Sequence, residues 1–555
     1  MTETASDPTS DTAGQTNGAT PARPTTDDAD AWKSYWQAQG MPWRTEPEIA
    51  AERQAYLAER RAITPSISRG VYPFKDIEPK LTRADIEWLL TTHESLGDAG
   101  LVFWDEEKDK PSYIRRQGLD LRGADLNGLD LRGLPLTLVR AGLSLREFIH
   151  ATGDQRSAAA AQLSGANLHS AHLKGAVLRR AQLERVILGG AHLAETDLSL
   201  AHLNGADLAG AELTGVNLFG AELTGANLSG VLLTGANLFG VHLEGVNLSE
   251  AQLEEGNLRE AQLMRVDLSE AHLKGADLVE AQLEGASLHG ARLKEANLSQ
   301  AQLEGADLTS AQLEGANLTQ ANLQRADLRG ASLDKASLLY GATLKLVSLD
   351  QTIFDNTNLS VVRWQDVPIL GDELRARSRK GDDGKRKTRQ QRVEGYQAAA
   401  RAYRRLAVAL QTNGMNDEAD TYRYRAQLMQ RRFHWHSRRF GRWSFSALLA
   451  LLAGYGYKPA RSFLTYALVI AVFTGLFILA GLGVITFGLA ATQYHELPWY
   501  EALVLSVASF HGRGFFQPVQ SPGDPIAILA AIEAVFGLFI EVTFIATFTQ
   551  RFFGK

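Results

Sequence analysis

Cysteine is absent from all 555 residues, which excludes disulfides and thiolate metal sites and fits a reducing compartment. The first 30 residues lack both an apolar core and a basic start, so they do not read as a secretory signal; residues 1–30 read as a disordered leader. Catalytic constellations are wanting too. His93 and Glu94 lie near Asp85 and Glu87, but these charges read as the surface of one helix, within a helical, aromatic-anchored cap or adaptor over 31–117. The expectation is a chain that is not an enzyme and binds neither cofactor nor metal. Overall charge is modest, a net −6, yet 19 Lys and Arg gather between 371 and 443.

What is abundant is a repeat, as in "GADLTSAQLEGANLTQANLQRADL". Leu recurs every fifth residue from Leu163 to Leu338, about 36 times, with Ala or Val usually two residues before it. A helix cannot use that spacing, because five steps of about 100° rotate the stripe by about 140° each time. A flat strand fails because an odd period alternates faces. The remaining solution is a solenoid in which each pentad forms one side of a coil, Leu and the small residue inward. This resembles the pentapeptide-repeat family, which implies a right-handed quadrilateral β-helix with four repeats per coil over 161–362. An earlier patch, "GLDLRGADLNGLDLRGLPL", covers 118–136, and 137–160 interrupt it. Leu344, Leu349, Phe354 and Leu359 follow in a shifted frame, which places a one-residue insertion near Gly341.

Some members of that family resemble duplex DNA in shape and charge. That makes mimicry the alternative reading of the rod, although 23 acidic residues against 13 basic ones between 161 and 350 are a thin density beside a duplex with one charge per ~1.7 Å. The rod reads instead as a rigid spacer with a surface for a cytoplasmic protein partner. After it come a solvated basic linker, 363–393, and a helical hairpin, 394–441, turning at 413–416 and resembling a tetratricopeptide-like helix pair. One pair cannot bury its own face, so it is expected to cover the rod, a neighbouring subunit or the membrane. The arginines and tyrosines here are a poor argument for nucleic acid, because an apolar segment follows at once. His434 and His436 flank Trp435, which suits an interfacial belt better than a metal site.

Residues 442–461 read as an interfacial helix, and 462–491 carry no charge and exceed the roughly 20 residues that cross a bilayer. A second span, 526–548, carries Glu533 and Glu541, with Gly537 as a candidate hinge, and 549–555 form a tail. The Lys/Arg asymmetry predicts a multi-pass protein of the cell membrane with both termini cytoplasmic. Between the spans, "LPWYEALVLSVASF" opens a segment, 498–525, that reads as a re-entrant helix and loop. Span, short helix, loop and span resemble the two-helix pore of the potassium-channel superfamily. Against that family's "SxxTFTTVGYGD" this chain has "SVASFHGRGFFQ": Ser506, Phe510 and Gly514 coincide, while Phe515 replaces Tyr. The resemblance implies a pore loop of Ser509, Phe510, His511, Gly512, Arg513, Gly514, Phe515 and Phe516. Arg513 in the filter argues against potassium selectivity. Gly454-Tyr455-Gly456, which spells a filter ending, precedes the first span and reads as a decoy.

A single pore loop cannot enclose an axis, so conduction requires a cyclic assembly, most simply a homotetramer passing an inorganic ion of unspecified identity. Glu533, costly inside a span, needs a partner. Arg513, from the same or a neighbouring subunit, is the expected one; alternatively Arg513 faces the pore and favours anions. The fold class is thus mixed: a cytoplasmic β-helix, a helical connector and an α-helical two-span pore domain. The opposing reading is a membrane-tethered scaffold whose rod binds a partner without conduction.

Overall fold

From Gln162 to Gln302 every fifth backbone position takes part in a parallel bridge to one 20 residues away, as Gln162 does to Gln182 and Asn167 to Ile187. Four pentads therefore close one coil, and the ladder is continuous because Leu163 N–H donates to Gln182 O at 2.7 Å while Gln182 N–H donates to Ala161 O at 3.0 Å. The inward Leu and Ala are excluded from water, Leu253 and Ala251 completely. The computed structural model describes residues 22–25, 28–95, 98–99, 118–335, 337–354, 356–381, 384–457, 459–482, 484–485, 497–512 and 525–552. It divides into two compact units, Met1–Gln302 and Leu303–Lys555. Most of the expected leader, and residues 101–117 of the expected cap, lie outside the described residues.

In the first unit, α1 (Ala29–Ala38), α2 (Ala51–Arg61) and α3 (Arg83–Thr91) precede the coils. The expectation that Asp85 and Glu87 decorate a helix surface is corrected: both are buried. Asp85 closes the capping box of α3 with Thr82 and pairs with Arg53 at 2.9 Å. Glu87 accepts from the backbone N–H of Thr45 and Glu46 and from Arg83, so it ties the preceding loop to α3. Arg83 in turn donates to Asp130 O at 3.0 Å, and Ile86 reaches the apolar lumen lined by Leu121, Leu126 and Leu131. Thus α3 covers a solenoid end that would otherwise expose its ladder.

The early patch is itself a full coil. Asp125, Asp130, Pro135 and Arg140 bridge to Gln162, Asn167, His172 and Val177, so the coil runs on beyond residue 136. What interrupts it is a helical excursion of α4 (Leu145–His150) and α5 (Gly153–Ala159), each begun by a capping box. The ladder resumes where Ala161 N–H donates to Ala141 O at 2.8 Å. Outside, Asn257, Asn237 and Asn217 each donate a side-chain amide to the residue one coil before, ending on Asp197.

In the second unit the frame slips, but earlier than expected. Leu338 is half exposed and bridges Asn317, while Leu339 turns inward and Ser337 Oγ donates to Leu313 O at 2.8 Å. The inserted residue therefore falls within 334–337 rather than near Gly341. Two consecutive leucines conceal the slip in the sequence. Beyond Leu359 the chain makes a lid. Helix α6 (Gly371–Arg377) lies so close to the coil that a Cβ on Gly371 would sit 2.3 Å from Leu346 O. Asp372 accepts from the N–H of Leu349 at 2.6 Å and of Asp350 at 3.3 Å, satisfying the edge of the ladder. Arg375 reaches Asp327 at 2.6 Å, so this part of the expected solvated linker is in fact seated on the coil.

The hairpin of α7 (Arg389–Thr412) and α8 (Asn416–His436) completes the lid. Of the three expected supports for the hairpin, the structure shows the solenoid: Arg401 pairs with Asp350 at 2.8 Å, Tyr403 O–H donates to the fully buried Glu373 at 2.6 Å, and Tyr422 O–H donates to Val367 O at 2.8 Å. Burial, reinforced by the Glu373 carboxylate, pushes the Tyr403 hydroxyl pKa upward, which keeps it a donor. Helices α9 (Phe440–Ala453), α10 (Pro459–Gly481), α11 (Trp499–Phe510) and α12 (Pro525–Phe552) follow.

Candidate functional site

Two helical stretches, Ala460–Gly481 of α10 and Pro525–Ile545 of α12, are long and apolar enough to cross a membrane. Helix α11 is not: its 12 residues extend about 18 Å. It starts directly after Pro498, whose missing N–H costs a helix start nothing. One face buries Ala502, Ser506, Ser509 and Phe510, and the other leaves Trp499, Tyr500 and Val504 exposed. Ala502 packs with Phe473 and Phe477 of α10 and with Ile526 and Leu529 of α12. Phe510 packs with Ile470 of α10 and Ile540 of α12 and meets the Tyr466 ring edge-on at 4.7 Å. The short helix is therefore wedged between the two long ones.

Gly537 makes that wedge possible. A Cβ at this position would lie 1.8 Å from Phe510 O, so the glycine admits the C-terminal end of α11 against α12. Sequence reading marked Gly537 only as a hinge; its observed role is close approach.

Two polar links cross the bundle. Ser506 Oγ lies 2.5 Å from Glu533 Oε1 and 3.1 Å from Ile470 O, which joins all three helices at one buried point. Among the described residues Glu533 Oε2 and Ser509 Oγ have no hydrogen-bond partner. The second link lies at the start of the loop, where His511 Nδ1 contacts Glu541 and its Nε2 lies 3.0 Å from Tyr466 Oη. Gly512 follows with φ +64°. Of the expected pore loop, Ser509, Phe510, His511 and Gly512 are thus placed at the end of α11. Arg513, Gly514, Phe515 and Phe516 lie outside the described residues, and with them the expected Arg513–Glu533 pair.

The sequence reading missed Ser506 as the partner of Glu533 and His511 as that of Glu541. The available signal was that the two acids stand eight residues apart on α12, two turns, within reach of a single neighbouring helix. Gly454 and Tyr455 both adopt left-handed backbone, φ +53° and +58°, and form the bend between α9 and α10.

A family model described as pentapeptide repeats matches residues 161–199, 196–235, 232–269, 261–300 and 301–338. No curated protein matches the chain. Among solved structures, HetL, a pentapeptide repeat protein involved in heterocyst differentiation regulation from the cyanobacterium Nostoc, is 33% identical, covering 42% of this chain and 90% of that one with a TM-score of 0.18. Rfr23 from the cyanobacterium Cyanothece is 34% identical over 21% of this chain and 89% of that one, TM-score 0.17. QnrB1, a plasmid-mediated fluoroquinolone resistance protein, is 20% identical over 30% and 84%, TM-score 0.26.

Proposed function

For a chain that belongs to the pentapeptide-repeat family through its central repeats, we propose that the C-terminal helices form an ion-channel-like module in the cell membrane, governed by the repeat domain. In this reading α10 and α12 span the bilayer, α11 re-enters it, and the loop from Ser509 to Phe516 lines a path between subunits. The repeats and α6–α8 lie in the cytoplasm and act on the first span through α9. The observation that carries the reading is the wedged α11: a helix too short to cross, apolar, and seated between two that are long enough.

Apolar side chains exposed around the bundle, among them Leu464, Leu468, Val535, Leu538 and Val542, are what a lipid-facing surface requires. Arg513 in the loop speaks against a ring of cation-coordinating carbonyls, so potassium selectivity is not part of the proposal. Recording from purified protein in a planar bilayer tests it, with single-channel steps expected and altered in R513Q. A silent bilayer containing correctly inserted protein would leave the membrane-tethered scaffold instead.

A further inference from the structure

The arginines where the hairpin meets α9 are not neutralised. Arg401, Arg423 and Arg425, elsewhere in the hairpin, pair with Asp350, Asp420 and Glu373. By contrast, among the described residues Arg389, Arg392, Arg431, Arg432, Arg438, Arg439 and Arg442 form no ion pair, and the nearby Glu394 is engaged by Gln390 at 2.9 Å.

Five of them gather around the last turn of α8, Arg389, Arg392 and Arg432 by His436 and Arg439 and Arg442 by His434. Arg389 Nε donates to His436 O at 2.7 Å, the His436 ring stacks on Tyr396 at 5.1 Å, and the Arg432 guanidinium lies 6.0 Å from the Tyr396 ring. On the other side of the last turn of α8, Arg439 lies 5.8 Å from the Phe433 ring. The two histidines report the field between these groups. Burial first, and then Arg442 and Arg439, hold the His434 imidazole below its ordinary pKa; burial and then Arg392, Arg389 and Arg432 do the same for His436. A helix C-terminus accounts for about half a negative charge, far less than this cluster carries.

Aromatic rings border the cluster: Trp435 lies 5.6 Å from Phe440 and 5.0 Å from Trp443, with Trp435, Phe440 and Phe445 exposed. Uncompensated guanidinium groups beside the exposed Trp435 indole and the Phe440 and Phe445 rings, immediately before the first apolar helix, match a bilayer surface in both charge and polarity. We propose that this cluster binds the phosphate headgroups of anionic glycerophospholipids. The inference rests on the membrane reading above and names the lipid class that α8 and α9 would meet there. Guanidinium forks suit phosphate because they can donate two parallel bonds to it.

The test uses full-length protein in detergent, with phosphatidylglycerol, phosphatidylcholine and inorganic phosphate as probes and lipid retention by native mass spectrometry as readout. Phosphatidylglycerol should be retained in preference to phosphatidylcholine and should not be displaced by millimolar phosphate. A basic residue near an anionic surface contributes roughly fivefold, so R432Q/R439Q/R442Q should lower the preference on the order of a hundredfold, whereas R432K/R439K/R442K should keep most of it. Equal retention of both lipids, full displacement by free phosphate, or an unchanged preference in the glutamine variant overturns the site. A protein that needs no detergent retires the membrane reading together with it; one that stays in bilayers but ignores headgroup charge retires the site alone.

Discussion

Gly537 and Ser506 decide whether α11 can sit where it does. In G537A the added methyl would fall 1.8 Å from Phe510 O, so α11 must move outward. Overpacking of this kind costs about 1–3 kcal/mol, and the variant should melt below the parent in detergent. An unchanged melt would mean that α11 does not rest on α12 there. Ser506 poses a problem of hydrogen counting: one hydroxyl proton faces two acceptors, Glu533 Oε1 and Ile470 O. Glutamine at 533 would supply a donor to Ser506 and free its proton for Ile470. E533Q should therefore melt at or above the parent, whereas S506A should lose about 1 kcal/mol or more, measured by the same assay. A large loss in E533Q would favour a charge pair with Arg513 instead. The expense of a carboxyl within an apolar helix was readable from residue types; its partner was not, because Ser506 resembles any small residue in a helix. Likewise, a glycine in an apolar run looks the same whether the chain bends there or a neighbour leans on it.

Among elements, the lid over the last coils shows what periodicity can and cannot reveal. The five-residue period specified inward and outward positions for each pentad, since only one backbone geometry buries Leu at that spacing. It could not reveal the slip at 334–337, because Leu338 satisfies the old frame and Leu339 the new one. Nor could charge composition show that the stretch from Gly371 to Arg377 is a seated helix, since Arg375 looks solvated until Asp327 is placed beside it. The lid carries a pH signature. Burial raises the Asp372 carboxyl from an ordinary 3.8 to about 6, partly offset by the N–H groups of Leu349 and Asp350. A carboxyl raised in the folded state contributes stability below pH 3.8 that is lost as pH rises through about 6, here on the order of 3 kcal/mol. Asp327 acts oppositely. Burial alone would raise it, but Arg329 and Arg375 hold it below its ordinary value, so its contribution is present above pH 3.8 and fades in acid. The parent should lose thermal stability between pH 4 and 6, and D372N should lack that decline. An equal decline in D372N would place the titrating group elsewhere.

At the scale of the whole molecule, the number of copies decides between the channel and the scaffold. One chain supplies one short helix and one loop, and α11 turns its buried face toward its own α10 and α12. On the channel reading, a path enclosed by such loops must be shared among copies about an axis, and four is the number that the resemblance to the two-helix potassium-channel pore implies. An anchor makes no such demand, since two spans hold a chain in a bilayer whether or not copies meet. The exposed side chains of α11, Trp499, Val504 and Val507, are then the natural contacts with the next copy, whereas in a lone anchor they would face lipid. Mass measurement of the full-length protein in detergent should therefore give four copies, and V504D, which places a charge on that face without touching the chain's own core, should reduce the assembly while leaving each copy folded. A monomeric parent would end the pore reading but leave the spans intact, and a tetramer indifferent to V504D would move the contact to another face of the bundle.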